Sequence, residues 1–416
     1  MLKQIRFINW KSFSDSTMYI DPLTVLIGTN ASGKSNALDG LDFLRRITNG
    51  KEMNASLTGD SVTKGIRGGI DWASLKPNKE FTLETIISGE DEKTDYIYKV
   101  TVQTTPHIQL KEESLIRKRK RHNSTSSPYE IQLFYTVETS EESPSISVRL
   151  YNGKRGTKRE CKRGHSILSQ LQGTELKKEI NQGIKQVSES LQEIFILDPI
   201  PSQMRNYSPF SNELLSDASN IAGVLAALPP EEKKNVEKKL TNYARELPER
   251  DIERVYANPV GDFQRDAMLY CQEKWGEKPL SMDARGMSDG TLRFLAILTA
   301  LLTRPRRSQI IIEEVDNGLH PSRSQLLLNT LRDLGREREI DVLVTTHNPS
   351  LLDELGPEMV PFVIIAHRHE TKGYSQLTLL EDVKGLPKLM SYGKIGKISS
   401  EGKLEEAIHD ESVAYE

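Results

Sequence analysis

Gly28-Thr-Asn-Ala-Ser-Gly33-Lys34-Ser35 is the stretch that decides the fold of this 416-residue chain. It fits the pattern Gly-x4-Gly-Lys-[Ser/Thr] of a phosphate-binding loop. The residues before it, Leu23 to Ile27, are short and apolar like a buried strand, and Asn36 to Arg46 carry apolar side chains at helical spacing. A strand, a loop and a helix in this order indicate an α/β fold of the P-loop type, and they favour it over a glycine-rich turn without function.

The residues of this loop are those that a triphosphate requires. Backbone N–H groups of such a loop surround the α- and β-phosphates at a helix N-terminus, where the helix dipole favours negative charge. Lys34 is predicted to reach the β- and γ-phosphates, and Ser35 is predicted to place its hydroxyl on Mg²⁺. The other predicted nucleotide-binding residues of the loop are Gly28, Asn30, Ala31, Ser32, Gly33 and Asn36. The sequence therefore predicts a site for ATP with Mg²⁺.

Composition and charge limit the partners, cysteine-based sites and cellular locations that the chain can have. The formal net charge is -3, so any contact with nucleic acid has to come from a local basic patch. Cys161 and Cys271 lie too far apart for a CxxC motif, and two cysteines make no disulfide framework. The N-terminal stretch lacks the apolar core of a signal peptide, and the longest apolar run, Phe294 to Leu302, is shorter than the roughly 20 residues of a membrane span. We therefore expect a cytoplasmic protein without membrane contact.

The composition and the predicted secondary structure change four times along the chain. Residues 1–105 are rich in predicted strands around the loop, and 106–165 are polar and basic, which indicates a β insertion. Residues 166–279 are predicted to form a mainly helical arm or lid. Residues 280–390 return to alternating helices and strands, and 391–416 form a tail.

A second candidate site follows the predicted strand Ile310-Ile-Ile312, which ends in Glu313 and Glu314. In a P-loop fold the carboxyl end of such a strand faces the nucleotide. We predict that Glu313 holds the Mg²⁺ shell and that Glu314 orients and deprotonates the attacking water. The alternative is a strand that runs into a charged turn, and the phosphate-binding loop upstream favours the catalytic role.

Two more motifs complete the series. The predicted strand Asp341 to Thr345 leads to His347, which is placed to contact a γ-phosphate and sense its presence. The small polar turn at Ser288, Asp289 and Gly290 opens an apolar helix and suits an anion. Taken alone, a histidine is usually structural and a Ser-x-Gly turn is usually a helix cap. The order of loop, turn, carboxylate strand and histidine strand favours a catalytic role for His347 and nucleotide binding by the turn.

The order of these four motifs, with these residues, resembles that of the ATP-binding-cassette superfamily. The branch is that of the RecF/SMC/OLD-like ATPases, which includes standalone AAA-type ATPases of bacterial anti-phage defence systems. Met287-Ser-Asp-Gly-Thr291 is similar to the signature motif of this branch, and Glu313-Glu-Val-Asp-Asn-Gly-Leu-His-Pro321 resembles its Walker B and D-loop run, with Val315 in place of the usual proline. Thr346-His347 matches the switch histidine.

The resemblance extends to the opening stretch Ile5 to Phe13 and covers roughly residues 1–105 and 280–390. One motif of the family has no clear counterpart, because the Q-loop glutamine has only Gln103 and Gln109 as candidates. The implied fold is an ABC-type head, a mixed sheet flanked by helices, with a β-rich insertion and a helical arm or lid.

The resemblance also implies an assembly. Heads of this superfamily pack head-to-tail, so that each ATP lies between the P-loop of one subunit and the signature helix of the other. Ser288 and Gly290 would then reach the γ-phosphate of the ATP that is bound to a second copy of the chain. Hydrolysis by Glu314 would release the two copies from each other. We expect an ATP-dependent homodimer or a higher even-numbered oligomer.

The lengths of the connecting segments point to separate partners. About 250 residues between the loop and the signature are too few for a long coiled coil, and about 70 residues after His347 are too few for a fused nuclease of the OLD type. We therefore expect a sensor or regulator of a separately encoded effector, a nuclease or toxin, in anti-phage defence. The alternative is a RecF-like DNA-repair ATPase that clamps or loads on DNA directly. DNA contact would use the basic segments Arg117–His122 and Lys154–Arg163, which otherwise belong to a solvated hairpin.

Overall fold

The computed structural model describes residues 1–61, 63–120, 128–247, 252–275 and 278–409. The chain divides into two compact units, and each is described by itself. The first unit contains Met1–Asp21, Gly28–Ile194 and Ile364–Thr378. The second unit contains Pro22–Ile27, Phe195–Val363 and Leu379–Glu416.

The strands are numbered in chain order. They are β1 (Leu2–Trp10), β2 (Phe13–Tyr19), β3 (Leu23–Ile27), β4 (Glu80–Ser88), β5 (Thr94–Gln103), β6 (Gln109–Arg119), β7 (Tyr129–Thr136), β8 (Ser145–Leu150), β9 (Thr157–Lys162), β10 (Ile194–Leu197), β11 (Ser208–Pro209), β12 (Ile252–Val260), β13 (Asp266–Trp275), β14 (Lys278–Asp283), β15 (Gln309–Ile312), β16 (Asp341–Thr345), β17 (Val363–Arg368) and β18 (Ser375–Leu379).

The helices are numbered in the same way. They are α1 (Lys34–Thr48), α2 (Met53–Thr58), α3 (Ile167–Leu171), α4 (Lys178–Gln192), α5 (Pro201–Met204), α6 (Ile221–Ala227), α7 (Pro230–Arg245), α8 (Asp289–Thr303), α9 (Ser324–Arg338), α10 (Pro349–Asp353), α11 (Leu386–Met390), α12 (Ile395–Ser400) and α13 (Lys403–His409). Short 3₁₀ turns occupy Ala284–Gly286, Pro321–Arg323, Pro357–Phe362 and Leu380–Asp382.

The first unit is built on a mixed sheet with the strand order β17-β18-β2-β1-β4-β5-β6-β7-β8-β9. Strand β18 pairs with β2 in parallel, and the strands from β2 to β9 pair in antiparallel fashion. Alternating side chains produce this sheet: Tyr96, Tyr98 and Val100 of β5 are buried, while the residues between them are partly exposed. The sheet therefore has one buried face, which the apolar stripe of α4 helps to cover.

An aromatic cluster stabilises the part of this unit next to α1. The ring of Trp10 lies 4.7 Å from that of Phe81, and the Phe43 ring lies 5.4 Å from Phe81, both in edge-on arrangements. All three side chains are fully buried. Helix α1 is thus attached to the sheet through its apolar face.

The second unit contains a parallel sheet with the order β10-β15-β16-β3. Ile310 of β15 pairs with Val342 of β16, and Val342 also pairs with Leu23 of β3. Strands β3, β15 and β16 are fully buried, which explains their largely apolar sequences. Helix α8 is buried on almost all sides. A smaller antiparallel sheet has the order β11-β13-β12, and β14 pairs with β13.

Most predicted elements agree with the structure, including the α/β class, the helix after the loop and the parallel strands at 310–312 and 342–344. The mainly helical character predicted for 166–279 is wrong for its last part, where β12, β13 and the start of β14 form a sheet. The reason is the alternation of buried Val255 and Ala257 with the more exposed Arg254 and Tyr256, a period of two.

The basic β insertion predicted at 106–165 continues the sheet of the first unit, because β5 and β6 pair directly across the boundary at 105/106. Its basic segments are partly neutralised. Arg117 pairs with Glu90 and Arg119 with Asp91. Residues 121 and 122 of the predicted Arg117–His122 segment lie outside the described residues.

Candidate functional site

The phosphate-binding loop lies in the first unit, and its backbone requires glycine at two positions. Gly28 has a φ of 142° and Gly33 a φ of 116°, values that favour glycine. A Cβ atom on Gly28 would lie 2.2 Å from the carbonyl oxygen of Ala366, and one on Gly33 would lie 2.6 Å from Ser375 Oγ. The loop therefore holds its conformation only with glycines, as a cradle of backbone N–H groups needs.

The polar side chains of the loop fit a triphosphate. Lys34 Nζ donates to the carbonyls of Gly28 and Thr29 at 2.5 and 3.0 Å, so the ammonium group lies over the loop itself. The Ser32 hydroxyl is in a side chain only 2 % exposed and has no hydrogen-bond partner among the described residues. A buried donor without a partner is uncommon in a folded protein, and it is the group that an anionic ligand would satisfy.

Residues that the sequence analysis missed support the start of α1. Asp39, a buried carboxylate of α1, pairs with buried Lys11 and with Arg67. Arg67 also donates to the Ser35 carbonyl at 3.3 Å, which places a guanidinium beside the loop. Burial lowers the pKa of Lys11, although the Asp39 carboxylate opposes that shift. The sequence signal was a charged Asp39 between the apolar positions Leu38 and Leu41 of α1.

Asn36, predicted to bind nucleotide, has a structural contact in this unit. Its side-chain amide donates to Ser12 Oγ at 2.7 Å, and its carbonyl accepts from the Trp10 indole at 2.7 Å. The exposed backbone of Asn30 and Ala31 lies at the tip of the loop, where Ala31 has a φ of 64°. The predicted loop residues thus form one continuous structure in the first unit.

The predicted catalytic residues Glu314 and His347 come together in the second unit. Strands β15 and β16 run parallel, so both residues follow the same edge of the sheet. His347 Nδ1 lies 3.9 Å from Glu314 Oε1, and the two side chains are 54 % and 47 % exposed. Glu313, the predicted Mg²⁺ residue, directly follows Ile312 of β15 and is half-buried. This edge therefore presents a carboxylate and an imidazole to solvent.

The backbone of Glu314 is strained and is held in place by the neighbouring strand. Its φ is 47°, in the left-handed region that costs a non-glycine residue about 1 kcal/mol. The Glu314 N–H donates to Thr345 Oγ1 at 2.9 Å, and the next N–H, that of Val315, donates to the Thr345 carbonyl at 3.0 Å. Thr346 Oγ1 donates to Asp316 Oδ1 at 2.6 Å. Strained residues concentrate at functional sites, where the surrounding structure fixes them.

The signature turn lies in the second unit as the N-terminus of α8. Ser288 Oγ accepts from the Thr291 N–H at 3.1 Å and so caps the helix. A Cβ atom on Gly290 would lie 2.6 Å from the Gly318 carbonyl oxygen, so this position requires glycine. Arg205, a residue that the sequence analysis missed, donates to the Met287 carbonyl at 2.9 Å and to Asp289 Oδ1 at 2.7 Å.

The Q-loop candidates and one residue of the basic segment Lys154–Arg163 make contacts within the protein. Gln103 and Gln109, the Q-loop candidates, bond to each other at 2.8 Å across the β5–β6 hairpin. Arg163 of the basic segment Lys154–Arg163 is buried, and its guanidinium donates to backbone carbonyls such as those of Leu110 and Ser140, so it is a structural residue. No helix among the described residues is long and apolar enough to cross a membrane.

A magnesium site would need partners beyond the protein. Within the described ranges, no group of three or more His, Cys, Asp or Glu side chains is placed to hold a metal ion. Magnesium commonly binds through one or two protein oxygens together with phosphate oxygens and water. Ser35 and Glu313 fit that pattern by their chemistry, since they supply a hydroxyl and a carboxylate.

Among solved structures, one SMC head reaches a TM-score of 0.50 and agrees with the fold. The structure is similar to that of an SMC head bound to the C-terminal winged-helix domain of ScpA, with a TM-score of 0.50, 12% identity, and 91% of this chain and 96% of that chain covered. An SMC head domain from Thermotoga maritima has a TM-score of 0.42 at 12% identity, with 91% and 98% covered. An SMC head with an extended coiled coil, bound to the C-terminal domain of ScpA derived from Pyrococcus furiosus, has 0.48 at 11% identity, with 97% and 98% covered. No curated protein matches the sequence.

The family comparison covers the candidate residues of each unit. The family described as "AAA domain, putative AbiEii toxin, Type IV TA system" matches residues 23–155 and 277–353, together just over half of the chain. The first range contains the phosphate-binding loop, and the second contains the signature turn, the carboxylate strand and the histidine. The chain belongs to this AAA-domain family, and its fold is similar to that of an SMC head.

Proposed function

We propose that this chain is a molecular switch that binds and hydrolyses ATP, pairs head-to-tail with a second copy around the nucleotide, and regulates a separately encoded nuclease or toxin in anti-phage defence. The observation that carries the proposal is the geometry of Glu314. A solvent-facing carboxylate on a strained backbone, fixed by Thr345 and placed beside His347, is suited to orient and deprotonate a water molecule.

The other residues have the roles that phosphoryl transfer requires. Lys34 and the backbone N–H groups between Gly28 and Ser35 bind the phosphates, and His347 contacts the γ-phosphate. Ser288, Asp289 and Gly290 of a second copy complete the site, so ATP stabilises the pair and hydrolysis weakens it. Magnesium held by Ser35 and Glu313 would neutralise the phosphate charge when it is bound.

A separate effector is supported by what the described structure contains. The family description names a toxin of a toxin–antitoxin system. The described residues hold no cluster of metal-binding side chains of the kind that a metal-dependent nuclease uses. In this proposal the destructive activity belongs to another polypeptide, whose action this chain permits or prevents.

One observation favours the second candidate, a RecF-like ATPase that acts on DNA directly. In the first unit, a cavity of about 240 Å³ is lined by Tyr129, Tyr135 and Tyr151 together with Arg149, Lys154 and Arg155. Tyrosine rings with nearby cations are typical of sites that stack bases and contact phosphates.

Glu314→Gln tests the catalytic assignment. The amide keeps the size of the side chain but cannot accept a proton from water, so we expect ATP turnover to fall by at least about a hundredfold. ATP should still bind, and the mass of the complex should correspond to the paired state. Asn317→Ala is the matched control, because the exposed Asn317 amide contacts Glu314 Oε2 only at 3.4 Å and the backbone bond from Asn317 to the Glu314 carbonyl is kept in the variant. Unchanged turnover in the Gln variant would show that Glu314 is not the base.

Copurification distinguishes the two functions. The chain is expressed together with its neighbouring genes, and the purified complex is weighed with and without the trapped ATP state. A stoichiometric nuclease or toxin supports the regulator. The DNA-acting alternative is supported if DNA stimulates ATP turnover by the lone chain. Lys154→Glu should then abolish this stimulation.

A further inference from the structure

A large groove lies in the second unit between α7 and β12, and the proposed reaction uses none of its residues. Its volume is about 950 Å³. Cations outnumber carboxylates in its lining: the charged residues are Lys233, Lys234, Lys238, Arg245 and Arg254 against Glu237 and Glu253.

The groove exists because α7 covers the edge of β12 with side chains instead of backbone. Four polar side chains at a spacing of four residues along α7 bond to backbone groups of β12, so that the helix stands away from the strand. The bonds join Lys233 Nζ to the Ala257 carbonyl (2.7 Å), Glu237 Oε1 to the Ala257 N–H (3.0 Å), Thr241 Oγ1 to the Val255 N–H (3.0 Å) and Arg245 to the Glu253 carbonyl (2.5 Å). This stripe closes the sheet edge and forms the floor of the groove.

The cations beside this stripe remain available to a ligand. Lys234 and Lys238 are exposed and make no ion pair with any described residue. The Arg254 guanidinium lies 4.6 Å from the centre of the Tyr256 ring, and Tyr256 stacks on Tyr270 at 5.4 Å. Glu237 in the lining pairs with Lys233, and the excess of cations that remains favours an anionic occupant.

The surroundings favour a protein segment over nucleic acid. Glu237 and Glu253 in the lining would repel a continuous row of phosphates, whereas a peptide can place a neutral or basic residue opposite them. The same unit also exposes apolar side chains near the smaller sheet, including Phe263, which is 86 % exposed, Tyr207 and Leu280. Exposed apolar residues of this kind mark protein interfaces.

We propose that the groove between α7 and β12 binds an extended acidic segment of a partner protein, with Lys234, Lys238 and Arg254 as its anchoring cations. The inference rests on the proposed function in one respect, since it gives the effector of that function its docking surface. Peptide binding to the groove is nevertheless measurable without ATP.

The test measures fluorescence anisotropy of a labelled peptide of alternating glutamate and valine against the full chain. A peptide with glutamine in place of glutamate is the probe control. The groove variant is Lys234→Glu with Lys238→Glu. Its matched control is Lys154→Glu with Arg155→Glu, which makes the same change in charge on exposed residues of the first unit.

We expect the acidic peptide to bind at least about tenfold more tightly than the glutamine peptide, and to bind more weakly as salt rises. The groove variant should lose about tenfold in affinity, and the control variant less than about twofold. Equal binding of both peptides, or equal losses in both variants, would overturn the proposal. The proposal would also fail if a single-stranded oligonucleotide displaced the peptide from the wild-type chain but did not displace it from the variant with Lys154→Glu and Arg155→Glu.

The ATP reaction separates this test from that of the proposed function. The groove variant should hydrolyse ATP at the wild-type rate, because none of its changed residues belongs to the nucleotide site. If the wild-type chain fails to hydrolyse ATP but binds the acidic peptide, the switch is wrong and the docking surface stands. If ATP turnover is normal and the peptide does not bind, the docking surface is wrong.

Discussion

Replacing Arg205 with alanine is expected to slow ATP turnover by about ten- to thirtyfold while leaving the fold intact. The guanidinium donates to the Met287 carbonyl and to Asp289, the two residues that flank the capping Ser288. A charged donor to a partly buried carbonyl contributes about 1.5 kcal/mol. The ion pair adds only about 0.5 kcal/mol, because Asp289 is 65 % exposed and water screens the interaction.

The sum, about 2 kcal/mol, is the free energy that keeps the signature turn in one conformation. If that conformation is the one that contacts the γ-phosphate of a second copy, the loss reappears in the transition state, where each 1.4 kcal/mol corresponds to about a tenfold change in rate. Binding of ATP to the phosphate loop of a single chain does not involve Arg205. We therefore expect kcat to fall and the nucleotide affinity of the monomer to stay unchanged.

The assay is steady-state ATP turnover over a range of protein concentrations, together with the mass of the ATP-bound complex. Arg205→Lys keeps the charge but cannot present the guanidinium fork, and it should give an intermediate rate. Arg285→Ala is the control, because Arg285 precedes the same turn yet pairs with Asp283 at the surface. Turnover of the Arg205 variant within about twofold of wild type, or an equal loss in the Arg285 variant, would refute a positioning role.

Three further predictions concern single residues. Burial raises the pKa of Glu113 to about 7, above its unfolded value, so the stability that its protonation contributes is complete below about pH 4.5 and is lost as the pH rises to about 7. Urea unfolding of Glu113→Gln should accordingly show a flatter pH dependence than wild type between pH 5 and 8, by about 3 kcal/mol, and parallel curves would contradict this. Gly28→Ala places a methyl group against the Ala366 carbonyl and should abolish nucleotide binding, as measured by titration calorimetry. Thr345→Val leaves the Glu314 N–H unpaired and should reduce ATP turnover by about fivefold with unchanged ATP affinity, whereas equal turnover would show that the hydroxyl is not needed.

The loop, the carboxylate strand and the histidine strand were predictable because each depends on neighbouring residues. Glycines that a tight turn requires, apolar β-branched strands and an apolar helix leave local patterns, and Gly28, Gly33 and the strand at 310–312 are found as those patterns predict. The same logic failed for β12, β13 and the start of β14, where charged and aromatic residues on the exposed face of β12 obscured an alternation of period two.

Residues that act across long sequence separations left no such pattern. Arg205 contacts the signature turn from more than eighty positions away, and Lys11 reaches Asp39 of α1 from the turn between β1 and β2. An arginine or lysine in a sequence carries no sign of its partner, since both occur mostly on surfaces. Only the fold shows that Arg205 and Lys11 belong to the neighbourhood of predicted motifs.

The strained backbone of Glu314 depends both on a local sequence pattern and on contacts between residues that are distant in the sequence. The sequence identifies a carboxylate after a buried strand, but no local rule requires that residue to adopt a left-handed conformation. The conformation arises because β15 and β16 pair in parallel, which brings Thr345 opposite the end of β15 and allows its hydroxyl and carbonyl to hold two successive N–H groups. The direction of the Glu314 side chain toward His347 is thus a consequence of strand register. A shift of β16 by one residue would move Thr345 out of reach and reverse the side chains along the strand, so the candidate catalytic geometry depends on the same pairing that forms the core.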